Sequence, residues 1–203
     1  MLSGTLALLS LTWACDKENE PQVRLLPASV KVGDQSGGGI VFYIAPDRTF
    51  GLVAPSTDQS EGIAWSVDRR IAFDSDTAIG SGAANTDRII AEKTARGDTD
   101  TDYAAKLAKD LVLNGYDDWY LPSIGELLLL HEKQDIVGGF TTDDLYHSYY
   151  WSSTNHDGKY ADGGYAGRVD FYTKTVMLTR YEGGQSLLYR VRAVRTLTAA
   201  DVE

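Results

Sequence analysis

From residue 37 the chain sets short apolar runs between turn residues. Gly37-Gly38-Gly39 opens Ile40-Val41-Phe42-Tyr43-Ile44-Ala45, Pro46-Asp47-Arg48-Thr49 supplies a turn, and Phe50-Gly51-Leu52-Val53-Ala54 follows. Runs of this length, rich in β-branched and aromatic residues, predict two buried strands joined as a hairpin. Gly62-Ile63-Ala64-Trp65-Ser66 is a third short strand on the same grounds. The period then changes. Ala104, Leu107, Ala108 and Leu111 recur at helical spacing and predict a helix over Tyr103–Leu113, stopped by Asn114-Gly115. Asn85-Thr86-Asp87 is read as the cap of a helix over about 86–95. Leu121-Pro122-Ser123 starts a third, with Ser123 and Glu126 at capping-box spacing before Leu127–Leu130 and Gly138-Gly139 behind. From Tyr149 onward strands return, over Tyr150–Ser153, Gly167–Tyr172, Thr175–Thr179 and Tyr189–Arg195. Short strands at both ends with about three helices in the middle predict an α+β domain. There is no internal repeat.

Composition narrows the function classes. The 203 residues are 43% hydrophobic and 24% charged, which fits one globular domain and excludes collagen, coiled coil and wholesale disorder. A net charge of −10 argues against a nucleic-acid partner. Charge is uneven: residues 146–203 hold seven Lys/Arg against six Asp/Glu, whereas the preceding 145 residues hold 12 against 23. The same last 58 residues hold eight of the twelve tyrosines. Tyrosine is over-used in binding surfaces because it gives large, rigid, amphipathic contact area, and it is equally at home in β strands. The single cysteine, Cys15, excludes an intramolecular disulfide and a cysteine-rich zinc site.

Residues 1–14, MLSGTLALLSLTWA, carry no charge and form an apolar run too short to span a bilayer. The length suits the h-region of a signal peptide. Leu11-Thr12-Trp13-Ala14-Cys15 resembles a bacterial lipobox, with Cys15 as the lipidated residue. The alternative is a short buried helix with an ordinary core cysteine. Asp16-Lys17-Glu18-Asn19-Glu20-Pro21 reads as a solvated tether, and it resembles the acidic stretches that send some Gram-negative lipoproteins to the cell surface. The expected organisation is a signal peptide over 1–14, a lipidated cysteine and acidic tether over 15–36, a domain over 37–197 and a tail over 198–203. An acyl anchor would then hold the chain on the outer membrane of a Gram-negative bacterium without spanning it.

Asn114-Gly115-Tyr116-Asp117-Asp118-Trp119-Tyr120-Leu121-Pro122-Ser123, with Glu126-Leu127 behind it, resembles the signature of the Lcl C-terminal-domain family, named for the terminal domain of a bacterial collagen-like adhesin. In the same order come Gly39–Tyr43 with Gly51–Ala54, Gly62–Trp65, Ala78–Gly82, Ala84–Thr86, Tyr150–Thr154 and Tyr189–Arg195, so the resemblance covers about residues 37–197. No collagen-like stalk accompanies it. The resemblance implies a C-type-lectin-like fold of the formylglycine-generating-enzyme group and an extracellular ligand-binding role. The founding adhesin's domain is trimeric and binds sulfated glycosaminoglycans; an acidic chain is a poor match for that ligand class. A homotrimer is carried as an expectation.

Catalytic and metal chemistry find little footing. Asp98, Asp100 and Asp102 begin like a calcium loop, but Tyr103 stands where the turn glycine belongs and Lys109 where the bidentate glutamate belongs. The calcium-ligating motifs of C-type lectins are absent, and His131, His147 and His156 lack zinc spacing. Gly80-Ser81-Gly82-Ala83-Ala84-Asn85 lacks the third glycine of a dinucleotide loop. Formylglycine-generating enzymes use active-site cysteines, and with Cys15 lipidated none remains. The expectation is a non-enzymatic binding module without metal or cofactor, its ligand an extracellular glycan or protein. Candidate contacts lie in 155–181: Asn155, His156, Asp157, Tyr160, Asp162, Tyr165, Arg168, Tyr172, Arg180 and Tyr181. They mix aromatic platforms with polar donors and acceptors. Two other readings fit: a receptor whose late codons are diversified by a retroelement, and a trimerising structural subunit of a surface assembly.

Overall fold

The computed structural model of the chain describes residues 23–66, 73, 75–144, 147–156, 164–180 and 187–202, with the side chain of Arg180 left out. Among the described residues it is an α+β fold of two sheets, four α-helices and a final 3-10 turn over Ala199–Val202. The first sheet joins β1 (Gln35–Ser36), β2 (Gly39–Ile44), β3 (Gly51–Ala54) and β9 (Arg195–Leu197), in the order β1-β2-β3-β9. The second holds β4 (Ser60–Ala64), β5 (Tyr149–His156), β6 (Tyr165–Asp170), β7 (Thr175–Arg180) and β8 (Leu188–Val191), in the order β4-β8-β5-β6-β7. Its neighbours are antiparallel except β5 and β8. Four helices separate β4 from β5: α1 (Gly82–Ala95), α2 (Ala104–Lys109), α3 (Ile124–Glu132) and α4 (Gln134–Val137).

Both faces of the inner strands are covered. Val41 and Val53 pack into a cluster with Trp65, Trp119, Trp151 and Ile89, while Phe42 and Leu52 turn to a second cluster with Tyr150, Val169, Phe171, Leu127 and Leu130. This explains the unbroken apolar run of β2, since a strand buried on both sides has no polar face to show. α3 begins as expected: the Ser123 hydroxyl accepts from the Glu126 N–H and the Glu126 carboxylate accepts from the Ser123 N–H at 2.8 Å.

Several elements differ from the sequence pattern. α1 starts at Gly82, a turn earlier than expected, because Asn85 and Thr86 are buried inside it instead of capping it. The Thr86 hydroxyl donates back to the Gly82 carbonyl and the Asn85 amide donates to the Asp76 carbonyl. α2 ends at Lys109, short of Leu113. Asn114 and Gly115 hold positive φ (54° and 86°) between bridged Leu113 and Tyr116, so they form the turn of a tiny hairpin and not a helix stop. α4 is an additional one-turn helix. The strand expected over 189–195 is two strands, β8 and β9, broken at Arg192–Val194 where the chain leaves the second sheet for the first.

That crossing is held by charge. Arg192 is fully buried; it donates to Asp58 and to the carbonyls of Pro55, Gly138 and Gly139, and its guanidinium lies 3.9 Å from the centre of the Phe140 ring. Asp58 also meets Arg190 at 3.1 Å and takes the Tyr150 hydroxyl at 3.0 Å. Burial and the Asp58 charge push that phenol up to about 12. Three residues on, Arg195 pairs with Asp118 and Asp201 and donates to the Gly37 carbonyl. The folded body takes in residues expected as tether: Leu26 and Val30 are buried in the core, and Ser29, Val30 and Val202 line one shallow cleft.

Candidate functional site

Strand register places the residues expected at the site. Cross-strand partners share a face of a sheet. His156 pairs with Tyr165 and Tyr165 with Arg180, so these three positions form one row across β5, β6 and β7. The row sits at the end of the sheet where β5 stops, β6 starts and β7 stops. Residues 157–163 and 181–186 therefore leave the described strands at this one end. The imidazole of His156 is exposed and Tyr165 is half-buried. Asp157, Tyr160, Asp162, Tyr181 and Cys15 lie outside the described residues. Arg180 is located by its backbone alone.

Arg168 stands on the opposite face, in the row Trp151–Arg168–Met177. Its guanidinium lies 4.2 Å from the Tyr149 ring centre and 4.3 Å from that of Tyr189, and Tyr189 packs in turn on Trp151 at 4.6 Å. One terminal nitrogen donates to the Met177 sulfur at 3.4 Å; Nε and the other terminal nitrogen are buried with no hydrogen-bond partner among the described residues. A guanidinium has five donors in a fixed fork, and a thioether is a weak acceptor. Burial lowers the Arg168 pKa from its ordinary value, as desolvation of a cation must. The arrangement is a cation held between two aromatic faces, with donor capacity left over. Tyr149, Tyr189 and Met177 were not among the expected contacts. The alternation of strand residues carries Tyr149 and Trp151 to one face, but only the register of β6 and β8 brings Arg168 and Tyr189 to them.

Two expected contacts stand apart from this row. Asn155 is buried: its amide donates to the Phe73 carbonyl at 2.9 Å and its backbone N–H to the Ser75 hydroxyl. Tyr172 is 55% exposed but lies past the other end of β6, in the turn to β7, a full strand length from the Tyr165 row. That turn is organised by Asp170, which accepts from the Ser148 and Thr173 hydroxyls and the Tyr172 N–H. Burial opposes ionisation there, and the hydrogen bonds outweigh it, holding the carboxyl below its ordinary value.

Elsewhere the chemistry is structural. Asp98 pairs with Lys93, and its carboxylate and that of Asp100 accept from backbone N–H groups two residues on. Among the described residues no three His, Cys, Asp or Glu side chains gather as a metal site. A cleft of about 360 Å³ opens beside β4, lined by Ser60, Ile63, Asp102, Leu107 and Leu188, and holds none of the expected contacts. Among the described residues no helix is long and apolar enough to cross a membrane. A scan of protein-family models found none that matches this chain, and a search of curated proteins found no match.

Proposed function

We propose that this chain is a C-type-lectin-like member of the Lcl C-terminal-domain family, held on the surface of a Gram-negative cell by a lipid on Cys15. It binds an extracellular glycan or protein and catalyses nothing. The observation that carries this reading is the His156–Tyr165–Arg180 row: β5, β6 and β7 end together, so both connecting segments start from one rim. The end of a rigid sheet from which connecting segments depart is a usual place for a binding surface, because the scaffold fixes the roots while the sequence beyond them varies. These segments carry Asp157, Tyr160, Asp162 and Tyr181. Arg168 and its two tyrosines add a stacked cation on the opposite face, its Nε and one terminal nitrogen buried without a hydrogen-bond partner among the described residues.

A screen of glycans and host proteins against the full chain identifies the ligand. Changing Tyr160, Tyr165 and Tyr181 together to Ala should then abolish binding with the melting temperature nearly unchanged, whereas Tyr172→Ala should bind as the wild type does. Loss of folding in the triple variant would mean that the tyrosines are core, and loss of binding in Tyr172→Ala would move the site to the other end of the sheet. The anchoring half of the reading is tested by Cys15→Ser, which should release the chain from membranes.

A further inference from the structure

β7 is the outermost strand of the second sheet among the described residues, and it lacks the devices that protect sheet edges. Its pairing with β6 runs without a bulge from Tyr165↔Arg180 to Asp170↔Thr175. Residues 175–179 contain no charge and no proline. Val176, Met177 and Leu178 are all exposed, at 41%, 37% and 49%. Exposed apolar positions therefore occur on both faces of one strand whose outer backbone groups have no described partner.

The order of residues says what fits there. Thr175-Val176-Met177-Leu178-Thr179 has the same chemistry read in either direction, hydroxyl, aliphatic, thioether, aliphatic, hydroxyl. We propose that β7 pairs antiparallel with β7 of a second copy, about a two-fold axis through Met177 that joins the two five-stranded sheets into one. An isologous contact makes each residue meet its symmetry counterpart, so a strand of mirrored chemistry is its own complement. Met177 meets Met177, Val176 meets Leu178 twice on one face, and Thr175 meets Thr179 twice on the other. Pairs of these kinds, aliphatic with aliphatic and threonine with threonine, stabilise cross-strand contacts.

Residues 175–179 bring no charge to the contact. At each end Arg180 of one copy stands opposite Lys174 of the other, a like-charge pair that opposes the contact, and the Glu132 carboxylate, 3.0 Å from Lys174, offsets part of that repulsion. α3 packs over β5 and β6, where the Ile124 side chain lies against Gly167. Two β6 strands separated by two β7 strands are about 14 Å apart. That leaves room for two helices, each about 10 Å across. A single strand pair buries less than the roughly 1,200 Å² of a stable interface. The dimer is accordingly weak in free solution and is favoured where copies are concentrated.

Sedimentation of the full chain in the Cys15→Ser background, from micromolar to millimolar concentration, should show a shift from monomer to dimer. Met177→Lys puts two ammonium groups on the axis and should abolish that shift while the circular dichroism spectrum stays the same. In the same background Met177→Cys should form an intermolecular disulfide on oxidation, because only residue 177 meets itself; Val176→Cys and Leu178→Cys should not. A monomer throughout the range, a dimer or trimer that survives Met177→Lys, or cross-linking through 178 but not 177 would each overturn the proposal. So would a wild-type monomer that takes up a foreign extended peptide along β7. None of these outcomes depends on the ligand screen, since each is read from oligomeric state or cross-linking and not from ligand binding.

Discussion

Arg192 shows what one side chain contributes to this molecule. Its donors are met by Asp58 and by carbonyls from two separate segments, so it joins the end of β3, the α4 exit and the sheet crossing at one point. Replacing it with Met keeps much of the bulk but leaves Asp58 with Arg190 and Tyr150 alone and takes the donor from three carbonyls; breaking a buried ion pair from one side costs about 3–5 kcal/mol. Arg192→Met should lower the unfolding free energy from chemical denaturation by that amount, and adding Asp58→Asn should recover part of it. Acid should act on different groups. Asp170 and Asp201 both have carboxyls held below the ordinary value: burial opposes ionisation at each, and hydrogen bonds from Ser148 and Thr173, or from Thr198 and Arg195, outweigh it. Their stabilisation is present above the unfolded-state value near ~3.9 and is lost as pH falls through their lower folded values. Glu126 runs the other way, since burial raises its pKa; it weakens the fold at neutral pH and ceases to do so as pH falls toward its ordinary range. Asp170→Asn should therefore flatten the acid limb of a stability–pH curve below about pH 4.

Among the elements, α3 is the one whose start is written most locally. Ser123→Ala removes the hydroxyl that accepts from Glu126 N–H, and this should cost about 1 kcal/mol in chemical denaturation without changing the slope of the transition. Local patterns of this kind made the β2–β3 hairpin and the α3 cap legible, because the cap partners are three positions apart and the paired strands are joined by one short turn. The second sheet was not legible in the same way. β4 finds β8 more than a hundred residues later, and the β5–β8 contact is parallel, so no turn residue announces either. The break between β8 and β9 was hidden for a related reason: Arg192, Ala193 and Val194 are as buried as their neighbours, and only Asp58, Gln59 and Tyr120 decide where the backbone bends. At the candidate site, composition pointed to the last third of the chain but not to faces. Asn155 reads as a polar loop residue until Phe73 and Ser75 are seen to close over it, and Tyr165 and Arg168 prove to stand on opposite sides of one sheet.

On the scale of the whole molecule, the two sheets share a covered interior that thins toward β7, and this gradient separates two tasks. The inner strands are fixed by burial on both faces. In the proposed reading the rim where β5, β6 and β7 end together carries recognition, and the lateral edge pairs with a second copy. Another consequence follows from the cleft shared by Ser29, Val30 and Val202. The entrance and exit of the folded body are neighbours, so a passenger protein appended behind Val202 would lie beside the point where the leading segment enters. Joining those two points with a brief peptide and opening the gene at a different surface loop would leave the body's internal geometry intact. A display scaffold built from this chain would accordingly carry its cargo best in such a rearranged reading order.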